Sequence, residues 1–185
     1  SIDNYLKYYM KDEPLSGTFN INSNYFNLDE LMPEEDGEPA ETEESAYAYE
    51  IIPIPKNISF ILNSNINTLV YDSLSLKNVG GVLKIENAIA YLENVKMDVF
   101  DGKVIMNGNY NTQNLKKPTI AFDYDIQNID INQSAQYINT IEKMAPMAKS
   151  CQGNFSSLMT VNSELGQDMY PVYSTMNGKG NLRTD

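Results

Sequence analysis

The 185-residue sequence contains no histidine, no tryptophan and one cysteine, Cys151. Without histidine, a Ser-His-Asp or Cys-His catalytic site cannot be built, and the commonest metal ligand is missing. A single cysteine excludes an internal disulfide bond and any zinc site built from cysteine pairs. We therefore predict no catalytic residue, no metal site and no cofactor. We interpret Cys151 as a small buried residue at a helix end, not as a nucleophile.

Long apolar runs are also missing. The longest runs, such as residues 51–55, are far shorter than the roughly 18 residues that a membrane-spanning helix needs. No secretory signal peptide is recognisable at Ser1. Because the chain does not begin with methionine, we expect it to be a fragment cut from a longer protein.

Positive charge is scarce, with 13 basic against 25 acidic residues and a net charge of −12. The excess lies in one segment, because residues 29–50 hold ten acidic residues and no basic one. The other residues hold 15 acidic and 13 basic side chains, a net charge of −2. A nearly neutral body has no positive surface for nucleic acid, so we predict no nucleic-acid partner. Residues 33–53 are predicted to form an acidic loop.

Three aspartates, Asp123, Asp125 and Asp130, are spaced like the start of a calcium-binding loop. The pattern fails at Asn128, where the loop requires glycine, and at Ser134, where it requires glutamate. Two carboxylates on one strand face are also compatible with a glycosidase pair. No aromatic platform for a sugar is recognisable near them. We interpret these aspartates as solvent-facing strand residues and predict that the protein is not an enzyme.

From Ile54 onward, apolar and polar residues alternate over long stretches separated by turn residues, which predicts β-strands. The predicted strands cover residues 58–70, 82–85, 89–100, 104–111, 119–127, 155–161 and 173–182, after a short one at 16–22. Within 89–100, the alternation predicts one shared face for Ile89, Tyr91, Val95, Met97 and Val99. Asp101-Gly102 is a hairpin signal. Helical spacing predicts a principal helix over 133–149, capped by Asn132 or Ser134, and an N-terminal helix from Ile2 to Met10.

The fold class predicted from these patterns is mainly β: a long curved antiparallel sheet with one principal α-helix packed on it or capping it. A sheet with one apolar face needs a cover, and the sequence offers one substantial helix. Either a second sheet closes a sandwich, or the face stays partly open as a groove for an apolar ligand such as lipid. The candidate groove residues are apolar and in phase on their strands: Phe60, Leu62, Val95, Met97, Val99, Val104, Met106, Ile120 and Phe122.

The succession of motifs from Gly81 to Gly108 resembles the AsmA family. A strand starting at Gly81, a turn at Glu86-Asn87, a hairpin at Asp101-Gly102 and a return strand reaching Gly108 follow one another in the family's order. The family's usual Gly-Gly hairpin is Asp101-Gly102 here. Residues 118–131, the predicted helix, and the segments beginning at Gly153 and Met176 are similar to the family's C-terminal region.

The resemblance covers residues 54–185, which we interpret as one AsmA-like β-sheet domain, with 1–32 as the end of a preceding helix-strand repeat. A faint likeness between Gly17-Thr18-Phe19 and Gly153-Asn154-Phe155 supports a repeat. The family implies a protein on the periplasmic side of the inner membrane of a Gram-negative bacterium, held by an anchor outside this chain. It also implies a non-enzymatic role in outer-membrane biogenesis and lipid transport. The expected partners are phospholipid or another acyl-chain lipid, the inner membrane and neighbouring repeats of the same chain.

The alternative class is a structural β-module of the cell envelope that acts as a scaffold and binds no ligand. The two classes predict different structures. An apolar surface open along the strands favours lipid binding, whereas a filled two-layer core favours the scaffold.

Overall fold

The computed structural model describes residues 2–3, 15–30, 51–72, 74–137 and 152–185. These residues form one open sheet of nine strands and a seven-residue helix, α1 (Ile131–Tyr137). The strands are β1 (Ile2–Asp3), β2 (Leu15–Asn27), β3 (Ile58–Tyr71), β4 (Leu74–Glu86), β5 (Ile89–Val99), β6 (Gly102–Asn111), β7 (Thr119–Asp130), β8 (Asn154–Glu164) and β9 (Asn177–Thr184). The mainly β fold with one helix is therefore confirmed.

The strands lie side by side in chain order, so each strand from β3 to β8 pairs with the strand that follows it along the chain. All of these pairs are antiparallel. The exception is β2 with β3, which run parallel. The sheet is thus mixed and not wholly antiparallel, because the chain returns to the same end of the sheet between these two strands.

The parallel pair aligns two similar stretches of sequence at a constant separation of 43 residues. The amide of Asn63 donates to Asn20 Oδ1 at 2.9 Å, and that of Asn67 donates to Asn24 Oδ1 at 2.9 Å. With the same separation, the Asp72 N–H donates to Asp29 Oδ1 at 2.7 Å. These paired side chains hold β2 and β3 in one register, since a slip by one residue would break every amide pair.

Strand β5 departs from the simple alternation of its sequence. A bulge between Leu92 and Val95 adds one residue opposite β6, and Asn94 has a φ of 49°. The Asn94 N–H donates to Asn107 Oδ1 at 2.8 Å. Because the bulge reverses the phase, Ile89 and Tyr91 lie on the opposite face from Val95, Met97 and Val99. The predicted single face for all five is wrong.

The turn between β5 and β6 lies one residue earlier than the Asp101-Gly102 signal suggests. Val99 pairs with Gly102, so the two turn residues are Phe100 (φ 50°) and Asp101 (φ 59°). Two left-handed residues make a type I′ turn, whose twist matches that of the strands. Gly102 is itself in β6, where a Cβ would overlap the carbonyl oxygen of Gln127.

Helix α1 begins two residues before the predicted start at residue 133. The N-cap is Asp130, whose Oδ1 accepts the Gln133 N–H at 2.7 Å, and neither Asn132 nor Ser134 takes this role. The short carboxylate at the last position of β7 satisfies a free N–H at the start of the helix. Residues 138–149 of the predicted helix lie outside the described residues.

Both ends of the chain differ from their predictions. Ile2 and Asp3 form a strand paired with Gly17 and Ser16, not the start of a helix; residues 4–14 lie outside the described part. Residues 173–175, predicted as strand, form a single 3-10 turn, and β9 begins at Asn177. Val172, which precedes that turn, donates its N–H to the Glu164 carbonyl at 2.9 Å, so the chain is turning back before β9 starts.

Most buried side chains lie at the two ends of the strands, apart from the facing pair Ile66 and Val79 inside β3 and β4. At the α1 end, Ile129 and Ala135 are 3% and 1% exposed. At the opposite end, which we call the Thr112 end, Ala88, Thr112 and Leu165 are buried. Between these ends, the apolar side chains of β5 to β7 are only half-buried. The middle of the sheet therefore has no filled two-layer core among the described residues.

Candidate functional site

The strand register places all nine candidate groove residues on one face of the sheet. Directly opposite residues of neighbouring strands project to the same side. One row of such partners is Phe60, Ile85, Ala90, Tyr110 and Ile120; the next is Leu62, Leu83, Leu92, Gly108, Phe122 and Val161. Two further rows are Val95, Met106, Tyr124 and Met159, and then Met97, Val104 and Ile126, with Val99 beyond them opposite Gly102. We call this side the apolar face.

The apolar face continues onto β2 at one side and β9 at the other. Phe19 pairs with Leu62, and its ring lies 5.5 Å from the ring of Phe60. Leu182 of β9 pairs with Ser157. Phe19 and Leu182 are 42% and 69% exposed. An apolar surface of this extent on a monomer usually marks an interaction site.

None of the side chains in these rows carries a charge. The opposite side of the sheet, which we call the polar face, carries the Asn20–Asn63 and Asn24–Asn67 pairs. A depression of about 440 Å³ on the polar face includes Asp123, whose Oδ1 already accepts a hydrogen bond from the Thr160 hydroxyl at 2.7 Å. The sheet is thus amphipathic, and its charged groups lie outside the rows that form the apolar face.

A cavity of about 390 Å³ lies on the apolar face at the α1 end. Its sheet side is formed by Met97, Val99, Val104, Ile126, Ile129 and Phe155. Ser134 and Tyr137 of α1 and the turn residue Phe100 also line it. Pockets of about this size hold small apolar ligands. We call it the α1 cavity.

The Thr112 end of the apolar face is crossed by a segment of extended chain. The Ile54 N–H donates to Thr112 Oγ1 at 2.9 Å, and the Tyr110 hydroxyl donates to the Ile52 carbonyl at 3.0 Å. The same hydroxyl lies 3.6 Å from the sulfur of Met169. Two hydrogen bonds that involve side chains of β6 and the residue after it therefore hold residues 51–54 across the end of this strand.

The candidate residues chosen from the sequence omit other members of the apolar face that the register brings in, among them Leu83, Leu92, Tyr124 and Met159. Leu92 is out of phase with Val95 in the sequence, and only the β5 bulge returns it to the same face. Tyr124 is in phase with Phe122, and their ring centroids are 5.8 Å apart. The alternation of β7 was a sufficient signal for Tyr124, but no local signal identifies Leu92.

Burial on this face raises the pKa of the Tyr124 phenol above its ordinary value of 10.0. The folded protein therefore favours the neutral phenol, and the resulting stability is complete below pH 10 and is lost as the pH rises toward the folded-state pKa. We expect Tyr124→Phe to reduce this alkaline loss of stability, measured as the free energy of unfolding in denaturant across that range. Tyr173→Phe, at a side chain that is 82% exposed, is the control for removing a hydroxyl. An equally steep alkaline loss in Tyr124→Phe would contradict the prediction.

The three aspartates of the calcium-like pattern have separate roles. Asp123 binds Thr160, Asp125 accepts a hydrogen bond from the Gln127 side chain at 2.8 Å, and Asp130 caps α1. Within the described ranges, no three acidic or cysteine side chains are grouped closely enough to hold a metal ion. Cys151 and residues 31–50 of the acidic segment lie outside those ranges. Nor does the described part contain a helix long and apolar enough to span a membrane.

Comparisons with protein-family models, with curated proteins and with solved structures gave no match to this chain.

Proposed function

We propose that this chain is a periplasmic segment of an AsmA-like outer-membrane biogenesis protein that binds or conducts phospholipid along the apolar face. The role is non-enzymatic. The protein would be held at the inner membrane of a Gram-negative bacterium by an anchor outside this chain, with neighbouring repeats extending the sheet. The membrane compartment and the family rest on the resemblance of the motifs between Gly81 and Gly108.

The observation that carries the proposal is the uncharged, half-exposed apolar face across β3 to β8. Met106 and Phe122 lie at its centre, and both side chains are only half-buried. A protein that acted only as a spacer would gain stability by covering these side chains. Leaving them accessible costs hydrophobic stabilisation, which a bound acyl chain would restore.

The energetics suit a lipid that must enter and leave. Burial of an acyl chain against apolar side chains contributes about 0.8 kcal/mol per methylene relative to water. The rows of Ile, Leu, Val, Met and Phe offer surroundings nearly as apolar as a bilayer interior. Transfer from a membrane to this face therefore has a small free-energy difference, which permits exchange in both directions.

The proposal is tested by placing one carboxylate on either face at neighbouring positions of β6. Met106→Asp puts a charge on the apolar face, where a bound acyl chain would desolvate it. Ile105→Asp puts the same charge on the polar face and is the matched control. We expect Met106→Asp to weaken phospholipid binding by at least about tenfold, equivalent to about two buried methylenes, and Ile105→Asp to leave it unchanged. Binding is measured by native mass spectrometry after incubation with vesicles of phosphatidylethanolamine and phosphatidylglycerol.

Two outcomes would overturn the proposal. If the wild-type chain retains no phospholipid, the scaffold alternative replaces it. If both aspartate variants weaken binding equally while remaining folded by circular dichroism, lipid is not held on the apolar face.

A further inference from the structure

The α1 cavity is continuous with the apolar face but differs from it in being partly covered by α1. Met97, Val104 and Ile126 form its sheet side, one row away from Val95 and Met106 at the centre of the face. The side chains of the middle rows are half-buried, with no described element packed over them, whereas here α1 lies over part of the sheet. A linear apolar molecule lying along the face toward α1 would therefore pass from the half-exposed rows into a partly covered pocket of about 390 Å³.

The turn residue that lines the cavity beside α1 has an unfavourable backbone conformation. Phe100 lies in the left-handed region with a φ of 50°, which is uncommon for a bulky residue. Its ring lines the cavity and lies 5.6 Å from the ring of Tyr137 on α1. Asparagine or glycine would suit this turn position better. The turn thus places an aromatic side chain in the lining of the cavity, although its backbone conformation favours a small residue.

Charges near the cavity favour a neutral occupant. Asp72 is in its lining, Asp98 and Asp101 line the neighbouring depression with Lys77, and Lys103 lies opposite Asp98 in β6, so three acidic side chains stand against two basic ones. This surplus of negative charge repels a phosphate or carboxylate headgroup. It leaves a hydrocarbon end unaffected.

We infer that the α1 cavity receives the methyl end of one acyl chain, so that the chain lies along the apolar face with its headgroup toward the Thr112 end. This inference rests on the proposed function and adds an orientation and a length limit to it. Each methylene that enters the cavity adds to the binding free energy. Chains too short to reach the cavity gain nothing from it.

Orientation is tested in the wild-type chain with two photo-crosslinking lysophosphatidylglycerols, one with a diazirine at the methyl end of the chain and one with a diazirine beside the ester. Labelled peptides are identified by mass spectrometry. We expect the methyl-end probe to label residues at the cavity, such as Met97 or Tyr137, and the ester-side probe to label the opposite end, near Tyr110. The reverse pattern would overturn the inference, and so would equal labelling of both ends by both probes.

Length is tested with decanoyl, myristoyl and stearoyl lysophosphatidylglycerol. Val104→Phe fills part of the cavity, and Lys103→Phe on the polar face is its matched control. We expect Val104→Phe to weaken stearoyl binding by about tenfold, the loss of about two buried methylenes, with decanoyl binding unchanged. An equal loss for all three chains would overturn the inference while leaving the proposed function intact. If the wild-type chain binds none of them and Met106→Asp changes nothing, the proposed function itself fails.

Discussion

Replacing Ile129 with alanine is expected to lower the free energy of unfolding by about 2–5 kcal/mol, the usual cost of removing a large apolar side chain from a buried position. Ile129 is 3% exposed and lies opposite Phe155 in the next-to-last pair of β7 and β8 before α1. The side chain is one of the few large apolar groups that are fully buried in the described structure. The change is measured by denaturant unfolding followed by circular dichroism.

Ile105→Ala is the matched control, because this isoleucine is half-buried on the polar face. We expect its loss to be smaller than that of Ile129→Ala, since less apolar surface leaves water on folding. Equal losses for the two variants would show that the α1 end is not the tightly packed part of the sheet.

Gly108→Val is expected to lower the free energy of unfolding by about 3 kcal/mol, the upper range for overpacking. Gly108 lies between Leu92 and Phe122 in one row of the apolar face. A Cβ there would overlap the ring of Phe122 and lie 2.5 Å from the carbonyl oxygen of Ala121. The valine would therefore displace either the ring or the strand pairing.

Two further variants test whether the loss of stability in Gly108→Val comes from the conflict with the Phe122 ring. At Gly80, a Cβ would meet Lys96 Cε and the Ser64 carbonyl oxygen at 3.3 Å. Gly80→Ala should therefore cost less than about 1 kcal/mol. Adding Phe122→Ala to Gly108→Val removes the ring and should recover part of the lost stability. Additive losses in the double variant would contradict a steric conflict between these two side chains.

The strands were predictable from the sequence because side chains in a strand alternate between two faces. Where a strand is regular, as in 119–126, its face assignment follows from the sequence directly. The assignment fails where a bulge inserts a residue. Asn94 and Asn128, with φ of 49° and 54°, mark the bulges in β5 and β7, and asparagine tolerates that conformation. The residue type is compatible with a bulge, but the same asparagine also fits an ordinary strand.

The boundaries of α1 and β9 depended on contacts with distant parts of the chain. Asp130 ends β7 and caps α1 with the same residue, so its strand pattern concealed the helix start. Before β9, Thr175 Oγ1 accepts the Glu164 N–H at 3.0 Å and donates to the Val172 carbonyl at 2.8 Å. These hydrogen bonds stabilise the 3-10 turn over 173–175 where the local pattern favours a strand.

By itself, the sequence determined that this chain forms a mainly β sheet with one apolar and one polar side, and that it has no histidine for catalysis. It determined this because strand alternation and composition are local properties. Only the tertiary structure decided that β2 lies parallel to β3, that bulges bring Leu92 and Val95 onto the same face, and that α1 covers one end of that face. Each of these depends on which strands pair and in which register, and pairing joins residues far apart in the chain.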